Sequence, residues 1–328
     1  MTGFGQAVDA ALEACVVPGF TRIGLAVRSR LLPEFTAGDP PAIGGKAVII
    51  TGATSGIGYA AAVALARRGA VVHVLARGRD RAEQARRGVA AESGSTRISY
   101  GLADMEDLAS VRAFASEFRA THDRLDVLIH NAGAIHPDFR ADAARTELTV
   151  LGQVIAPFLL TRLLMPALLA AAPSRVITVS SGGMYTQRLD PATLQMPESR
   201  YRGVTAYAKA KRAQVALSRE WARRLAGTGV AFHAMHPGWV NTPGVASALP
   251  GFYRATRPIL LTPEQGADTI VWLATMPPEL LGSGRFWHDR RPRPEQPLPW
   301  TRGQGPGAAS KLWDHLNTAT AADARDQD

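Results

Sequence analysis

Cysteine and lysine are both scarce in this chain of 328 residues. It contains one cysteine, Cys15, and four lysines among its 37 basic residues. A single cysteine excludes an internal disulfide and a zinc site built from cysteines, and without a secretory pattern at the N-terminus it favours a cytoplasmic location. Aromatic residues are 7% of the chain and the arginines are spread along it, so the net charge of +9 indicates no nucleic-acid partner.

Long apolar runs are also lacking. The most apolar stretch, residues 150–172, is interrupted by Pro157, Arg162 and Pro166. These residues argue against a bilayer-spanning helix, because proline removes a backbone donor and a guanidinium is costly in hydrocarbon. We expect this segment to be a helix buried in the core or at a subunit interface.

One lysine has a spacing that suggests chemistry. Of the six tyrosines, only Tyr207 is followed four residues later by a lysine, Lys211. On a helix this spacing places a phenol and an ammonium one turn apart. The pKa of a tyrosine is normally about 10, and a fixed cation nearby lowers it toward the range useful in acid–base catalysis. An accidental surface pair would show the same spacing, so other motifs must decide.

Short β-branched runs alternate with helical patterns over most of the chain. This alternation is typical of an α/β protein with a single doubly wound Rossmann domain. The predicted strands are residues 46–51, 71–76, 97–101, 126–130, 175–180, 230–236 and 285–287, which would form a seven-stranded parallel sheet. Helices are predicted to begin near Gly56, Arg79, Met105, Ala144, Gly203 and Pro263.

Two segments flank this domain, which we expect to cover residues 44–291. In the basic arm, residues 1–43, a helical pattern places Phe20, Ile23, Val27 and Leu31 on one face and Arg22, Arg28 and Arg30 off it. Such an arm can lie on an anionic membrane surface, but docking on its own domain or on a subunit partner is the simpler interpretation. Residues 292–328 are predicted to be a Pro/Gly-rich tail with a short helix near 311–316 and a polar, disordered end.

A glycine loop follows the first predicted strand directly, Thr51-Gly52-Ala53-Thr54-Ser55-Gly56-Ile57-Gly58, and leads into a helix of small residues. Glycines permit a tight turn and a close approach of backbone N–H groups to a pyrophosphate, and the helix N-terminus adds a favourable dipole. This context predicts a dinucleotide site that uses Gly52, Thr54, Ser55, Gly56, Ile57 and Gly58.

Further motifs follow later strands. Asn131-Ala132-Gly133 comes after the fourth strand, Val179-Ser180-Ser181 ends the fifth, and His236-Pro237-Gly238-Trp239-Val240-Asn241-Thr242 follows the sixth. Together with the glycine loop and the Tyr207–Lys211 pair, they resemble the short-chain dehydrogenase/reductase family over residues 43–291. The passages VITVSSGGM and MHPGWVNTPGV are similar to its retinol-dehydrogenase-like branch.

The resemblance implies a role for each motif. Tyr207 would be the general acid/base at a substrate oxygen, Ser181 would hydrogen-bond to the same oxygen, and Lys211 would hold the nicotinamide ribose and lower the pKa of Tyr207. Gln153 stands where the family has an Asn that supports a water-linked proton path. The cofactor site would also include Asn131, Ala132, Gly133, Pro237, Gly238, Val240 and Thr242.

The end of the second strand bears on the choice of cofactor. Ala76 occupies the place of the acidic residue that binds the ribose hydroxyl of NAD, and Arg77 follows it. A guanidinium can bind a 2′-phosphate in bidentate fashion, so NADP(H) is favoured over NAD(H). The alternative is that Arg77 belongs to an arginine-rich surface.

Three positions depart from the family pattern. Gly101 replaces the usual Asp beside the adenine, Gln153 replaces the Asn, and His130 replaces the first Asn of an Asn-Asn-Ala-Gly motif. We expect His130 to pack at a strand end and Asp104 to be only a helix cap. The histidines show no metal-ligand spacing with carboxylates, and no metal site is expected.

The segment between Ser181 and Tyr207 is longer than the commonest family form. Its apolar residues, which we expect to line or cover a substrate pocket unless it is an ordinary surface loop, are Met184, Tyr185, Leu189, Leu194 and Met196. After Thr242, an apolar substrate is suggested by Leu249, Phe252, Tyr253 and Leu261.

These observations predict an NADP(H)-dependent oxidoreductase that interconverts an alcohol and a carbonyl on a lipophilic small molecule. A non-catalytic dinucleotide-binding sensor or scaffold is the alternative, favoured by the three departures and opposed by the intact Ser, Tyr and Lys. The resemblance also implies a homo-oligomer built partly on residues 150–172, and the arm could bring a cytoplasmic protein to a membrane surface.

Overall fold

The strands follow the predicted apolar runs closely. The computed structural model describes residues 3–32, 35, 40–302 and 307–322. Its strands are β1 Ala47–Thr51, β2 Val71–Ala76, β3 Ile98–Leu102, β4 Val127–His130, β5 Ser174–Val179, β6 Val230–Met235, β7 Arg285–His288 and β8 Arg291–Pro292. The first seven agree with the sequence to within one residue at each end. The sequence did not predict β8, a two-residue strand that contains a proline.

The helices occupy the segments between and outside the strands. They are α1 Gly3–Ala14, α2 Val16–Gly19, α3 Arg22–Leu31, α4 Gly56–Arg67, α5 Arg79–Ser93, α6 Leu108–Thr121, α7 Leu148–Ala170, α8 Gly203–Arg224, α9 Pro243–Ala248, α10 Pro250–Thr256, α11 Pro263–Thr275, α12 Pro278–Leu281 and α13 Ala308–Ala322. Single turns of 3₁₀-helix occur at Gly182–Thr186, Pro191–Thr193, Glu198–Arg200, Arg257–Ile259 and Pro299–Thr301. Within α7, Leu151–Ile155 is π-helical.

The strands form one sheet in the order β3-β2-β1-β4-β5-β6-β7-β8. Neighbouring strands are parallel except for the antiparallel pair β7 and β8. The doubly wound Rossmann fold is therefore confirmed, but with eight strands in place of the predicted seven. Chain order reverses between β1 and β4, and α/β proteins bind ligands in the crevice at the carboxyl ends of such strands.

Helices cover both faces of the sheet, which is why a strand such as β1 is buried along its whole length. On one face α6, α7 and α8 pack with α13, and the ring of Trp313 lies 5.0 Å from that of Phe158 and 4.4 Å from that of Trp221. On the other face α4 and α11 pack on the sheet through small side chains such as Ala61 and Ala62.

Two helices begin later than predicted, because their N-caps lie further along the chain. The side chain of Asp107 accepts a hydrogen bond from Ala109 N at 2.9 Å and caps α6. Glu147 caps α7 by accepting from Thr149 N at 2.7 Å. The prediction that Asp104 is a helix cap is wrong, since its carboxylate accepts from the amide of Glu106 in the preceding turn.

The N-terminal arm docks on the domain, but of the predicted apolar face only Phe20 is buried. Ile23 and Leu31 are 47% and 40% exposed, whereas Arg28 is 1% exposed. The buried guanidinium forms ion pairs with Asp9 at 2.8 Å and with Asp289 at 2.7 Å. The apolar pattern was therefore a poor guide, because the arm binds through charges as well as through apolar contacts.

Asp289 lies in the two-residue turn between β7 and β8. Asp289 and Arg290 have φ values of 50° and 58°, the left-handed region that tight hairpin turns require and that non-glycine residues avoid. Ion pairs of Asp289 with Arg28 and of Arg290 with Asp268, at 2.6 Å, help to hold this turn.

The C-terminal segment is more ordered than an irregular tail. It contributes β8, the 3₁₀ turn Pro299–Thr301 and α13, which is longer than the predicted helix at 311–316. Arg162 donates to Thr320 Oγ1 at 2.8 Å and thereby ties α13 to α7. Of the predicted disordered end, residues 323–328 lie outside the described residues.

Among the described residues, α7 is the one helix long and apolar enough to cross a membrane. However, 83% of its most apolar window is buried inside the chain, as expected for a core helix. Because α13 covers part of α7, the segment predicted to contribute to a subunit interface is already packed within the chain.

Candidate active site

The predicted site residues converge on one cavity of about 740 Å³ at the carboxyl ends of the strands. Its lining includes Gly52, Thr54, Ser55, Gly56, Ile57, Arg77, Asn131, Ala132, Gly133, Gln153, Ser181, Tyr207, Lys211, Pro237, Gly238, Val240 and Thr242. Gly58 is the one predicted site residue that is not part of this lining. The volume is in the range of cavities that hold cofactors and small molecules.

The glycine loop joins β1 to α4 at one end of the cavity. Gly52 has a φ of 65°, and a β-carbon at Gly58 would lie 2.6 Å from the carbonyl oxygen of Gly52. Any side chain at Gly58 would therefore fill the loop that turns backbone N–H groups toward the cavity. This cradle fits a pyrophosphate, and the N-terminus of α4 adds its positive dipole.

Asn131 connects the glycine loop to the end of β4. Its Nδ2 donates to Thr51 O at 3.0 Å and to Gly52 O at 3.1 Å. In return, Thr51 Oγ1 accepts from the backbone amides of Asn131 and Ala132. The Asn-Ala-Gly motif therefore fixes the shape of the loop through hydrogen bonds.

Arginines surround the end of β2. Arg77 is exposed and lines the cavity together with Arg81. In the part of the chain that the structure describes, no hydrogen bond or ion pair engages the guanidinium of Arg77, whereas Arg79 donates to Tyr100 Oη at 3.2 Å. Arg77 is thus available to an anionic group of a ligand.

Gly101 has a packing reason for being a glycine. A β-carbon at this position would lie 2.7 Å from Cδ2 of Phe114 and 3.2 Å from Cδ1 of Leu75. The family's Asp could not be accommodated without moving the ring of Phe114, so core packing accounts for the missing adenine contact.

The two serines at the end of β5 have different environments. Ser180 is 2% exposed and its Oγ donates to Lys211 O at 2.9 Å, which attaches the strand to α8. Ser181 lines the cavity together with Tyr207, and its Oγ accepts from Gly183 N at 3.3 Å. This geometry agrees with the assignment of Ser181, rather than Ser180, to the reacting centre.

Tyr207 and Lys211 lie one turn apart on α8 and both line the cavity. Lys211 Nζ is 5.3 Å from the centroid of the Tyr207 ring and donates to Val179 O at 3.0 Å. Burial lowers the pKa of Lys211 to about 7. Burial raises the pKa of Tyr207 to about 12, although the nearby Ser181 hydroxyl opposes the rise.

Burial thus sets the direction of the Tyr207 pKa shift, and the lowering by Lys211 that the family resemblance implies stays a prediction. Tyr207 is protonated at neutral pH, which is the state in which a phenol donates a proton.

Gln153 reaches the cavity from the π-helical segment of α7, a local distortion often found at functional sites. Its Nε2 donates to Ala134 O at 2.6 Å, while its buried Oε1 has no partner within the described residues. Oε1 of Gln153 and Nζ of Lys211 face the same point, the position that a β-carbon on Gly133 would occupy. Oε1 is 3.2 Å from this point and Nζ is 3.0 Å from it. A buried acceptor beside an ammonium suits a bridging water.

Several histidines are buried near the candidate site. His130 Nε2 is 2.8 Å from Thr161 Oγ1, and burial lowers the pKa of His130 to about 3, so it packs at the end of β4 as a neutral ring. Ligand atoms of Glu13, His236 and His288 lie within 4.8 Å of one another, a set that sequence spacing could not reveal.

A metal cation is nevertheless disfavoured at the group formed by Glu13, His236 and His288. Glu13 Oε2 lies 3.0 Å from Arg28 Nη2 and 3.4 Å from Arg293 Nε. Two guanidinium charges already pair with the only carboxylate of the set, so they would repel a divalent ion.

The apolar wall of the cavity differs in part from the prediction. Leu249 and Phe252 line it as expected, and Trp239 joins them. The predicted lining residues Met184, Tyr185, Leu189 and Leu194 are instead core residues, and Met196 lies outside the lining. Polar neighbours of the motifs line the cavity instead, namely His136, Thr186, Gln187 and Thr205. Composition alone could not separate these two groups, because both lie close to the motifs in sequence.

Comparisons with known proteins agree with this geometry. The family model of short chain dehydrogenases matches residues 46–250. Dehydrogenase/reductase SDR family member 12 of Bos taurus is 39% identical over 274 residues, which cover 83% of this chain and 85% of that protein. Retinol dehydrogenase 11 of Mus musculus is 34% identical over 274 residues, 82% of this chain and 84% of that protein.

A solved structure shows the same fold. A candidate NAD(P)-dependent gluconate 5-dehydrogenase of Beutenbergia cavernae, which holds NADP at low occupancy, is 30% identical. Its TM-score is 0.63, and the match covers 75% of this chain and 96% of that one.

Proposed function

This chain belongs to the short-chain dehydrogenase/reductase family, in its retinol-dehydrogenase-like branch, and from that premise we propose that it interconverts an alcohol and a carbonyl on a lipophilic small molecule with NADP(H). The observation that carries the proposal is that Ser181, Tyr207 and Lys211 line one cavity together with the glycine loop. The relatives act on alcohol and carbonyl groups as dehydrogenases and reductases.

The side chains have separate tasks in this reaction. A bound nicotinamide supplies or accepts the hydride. Tyr207 donates the proton to the substrate oxygen in the direction of reduction, and Ser181 orients that oxygen and donates where negative charge develops. Lys211 holds the cofactor ribose, and the free Oε1 of Gln153 supports a water that returns protons toward Lys211.

Replacement of Tyr207 by Phe tests the reaction. We expect Tyr207→Phe to lower kcat by about 10²- to 10⁴-fold, because the proton donor is lost while the cavity is retained. The assay is NADPH oxidation with retinoid, steroid, aliphatic aldehyde and quinone carbonyls. Tyr59→Phe is the matched control, because Tyr59 Oη donates to Glu92 outside the cavity. If wild type binds NADPH but turns over no substrate faster than Tyr207→Phe, the protein is not this enzyme.

Arg77 carries the proposed preference for NADP(H). Its guanidinium lines the cavity at the end of β2, and the NADP in the Beutenbergia cavernae structure supports the same preference. Arg77→Asp should weaken NADPH binding and strengthen NADH binding in a fluorescence titration, because a carboxylate repels a 2′-phosphate and accepts from a ribose hydroxyl. Arg79→Asp is the control, and an unchanged ratio of the two affinities in Arg77→Asp would show that Arg77 is not the selector.

The apolar wall supports a lipophilic substrate. Trp239 and Phe252 contact each other with ring centroids 4.9 Å apart, and Leu249 lies beside them in the lining. Retinol, the substrate named for one relative, is a molecule of this kind. The alternative of a non-catalytic sensor or scaffold is not favoured, since Ser181, Tyr207 and Lys211 meet in one cavity.

We also propose that this protein is cytoplasmic and contacts a membrane surface through the exposed side chains of the arm. Its outward side chains include Phe4 at 70% exposure, Val17 at 52% and Val16 at 48%, with Arg22 exposed on α3. Apolar and basic groups together suit an anionic lipid surface. Vesicles containing anionic lipid should pellet the wild-type chain more than a Phe4→Asp, Val17→Asp variant, and equal pelleting would remove this proposal.

Self-association is also proposed, but through a surface other than α7, whose apolar face is covered. Light scattering after size exclusion measures it directly, and a monomer at micromolar concentration would contradict it.

A further inference from the structure

The N-terminal arm contacts two loops that line the candidate active site, one after Ser181 and one after β6. The family match begins at residue 46, so the arm lies outside it. Between α2 and α3, Phe20 is 2% exposed and belongs to a small buried cluster with Met184 and Tyr185. This cluster lies under the loop that follows Ser181.

The ring of Phe20 packs directly on the backbone next to Ser181. A β-carbon at Gly182 would lie 2.7 Å from Cε2 of Phe20, so the ring occupies the space where a side chain would start. Ser181 Oγ in turn accepts from Gly183 N at 3.3 Å, which makes its orientation dependent on this short 3₁₀ turn. A displaced Phe20 ring would therefore allow the Ser181 hydroxyl to move.

The backbone of Phe20 contacts the second loop, which follows β6. Phe20 O accepts from Trp239 N at 2.7 Å, and it lies 2.9 Å from the position of a β-carbon at Gly238. The ring also meets His236 edge-on, with centroids 4.5 Å apart. Gly238 and Trp239 line the cavity, so one residue of the arm supports two of its walls.

Buried charges hold Phe20 in this place. Arg28 Nη1 donates to Gly19 O, directly before Phe20, and to the carboxylate of Asp289, both at 2.7 Å. Arg28 Nε donates to Asp9 Oδ1 at 2.8 Å, and Arg293 donates to both oxygens of the same carboxylate at 2.8 Å. Undocking the arm would break all of these hydrogen bonds and ion pairs together, so they favour the docked position of Phe20.

We propose that Phe20 is a positioning residue for the reaction, acting through Ser181 and Trp239, and that the arm supports the active site from outside the cavity. This inference rests on the proposed function. In the described residues Phe20 is not part of the cavity lining, so its effect is indirect, and it is directed at the end of the site that would hold the nicotinamide and the substrate. The glycine loop, which binds the cofactor phosphates, is at the other end.

The experiment compares Phe20→Ala with Phe20→Leu and with Phe4→Ala, a phenylalanine of the same arm that is 70% exposed. Each full-length protein is assayed for kcat and KM with a carbonyl that wild type reduces, for NADPH affinity by fluorescence, and for hydrogen exchange of residues 236–241. Phe20→Ala should lower kcat by about 10- to 100-fold, because small displacements of reacting groups have effects of this size. Its NADPH affinity should stay within about twofold, and Phe20→Leu should recover part of kcat.

Hydrogen exchange reports on the contact without any turnover. The amide of Trp239 should exchange faster in Phe20→Ala than in wild type or Phe4→Ala, since its acceptor is no longer held in place. Equal exchange, or an unchanged kcat in Phe20→Ala, would overturn the inference, as would a kcat that falls only in parallel with NADPH affinity. If Phe20→Ala does not fold, Phe20→Leu must show the same selective loss of kcat in smaller degree, and wild-type kcat in that variant would overturn the inference. A wild-type protein without turnover would instead refute the proposed function, whatever the exchange data show.

Discussion

Lys211 is expected to reduce the stability of the fold that it serves. Burial lowers its pKa from 10.5 to about 7, and a depressed lysine pKa means that the charged form is disfavoured in the native state. At about 1.4 kcal/mol per pH unit, this shift corresponds to a penalty of about 5 kcal/mol at pH 6, where the ammonium is charged in both the folded and the unfolded protein.

The penalty has a defined dependence on pH. Between pH 7 and the ordinary lysine value of 10.5, the unfolded chain binds more protons at this position than the native state, so wild-type stability rises with pH. By pH 9 the penalty should fall to about 2 kcal/mol. The variant Lys211→Met removes the charge at similar volume, and its loss of the hydrogen bond to Val179 O costs about 1–3 kcal/mol at every pH.

The assay is urea unfolding of wild type and Lys211→Met at pH 6 and pH 9 without added nucleotide. The unfolding free energy of the variant minus that of wild type should decrease by about 3 kcal/mol between pH 6 and pH 9. Lys311→Met is the matched control, because Lys311 is exposed and its ammonium is hydrated in both states. If the difference in unfolding free energy between Lys211→Met and wild type stays constant from pH 6 to pH 9, the reasoning is refuted. The variant would then lose turnover without gaining stability.

Two further predictions concern the departures and the caps. Gly101→Asp should lower the free energy of unfolding by at least about 2 kcal/mol in a urea titration, because its side chain would meet the ring of Phe114. Gly78→Asp, at an open position, is the control, and equal stabilities of the two variants would contradict the packing explanation. Asp107→Ala should lower the midpoint of thermal unfolding by the equivalent of about 1 kcal/mol through loss of the α6 cap, and an equal or larger effect of Asp104→Ala would show that the cap is misassigned.

The motifs were predictable because their geometry is local or follows from sheet topology. A strand that ends in a glycine loop and a helix positions Gly52 and Gly56 by short-range rules. Parallel strands place Asn131, Ser181 and Gly238 at the same edge of the sheet, since each follows the carboxyl end of a strand. The cavity is therefore built largely from residues that the sequence could nominate.

The arm was not predictable in the same way. Its helical pattern places Arg28 off the apolar face, yet Arg28 is buried because Asp9 and Asp289 supply counter-charges from distant positions. A helical pattern contains no information about partners outside the helix, whether they lie 19 residues away, as Asp9 does, or 261, as Asp289 does. The short β8 and its left-handed turn, which present Asp289, were missed for the same reason.

The segment after Ser181 shows a second limit. Met184 and Tyr185 are apolar and near the site in sequence, which suits a pocket wall as well as a core. They are core residues because Phe20 and Phe286 pack against them. Similarly, alignment identified the position of Gln153 but not the π-helical segment that sets its direction.

The ion pair between Asp9 and Arg293 joins residues that are 284 positions apart. During synthesis the arm therefore leaves the ribosome long before its partners Asp289 and Arg293, which flank β8. Until then Asp9 and Arg28 must stay hydrated, and the loops after β5 and β6 lack the support of Phe20. Contacts of such high sequence separation form late, so completion of the catalytic centre is expected to follow synthesis of the β7–β8 segment.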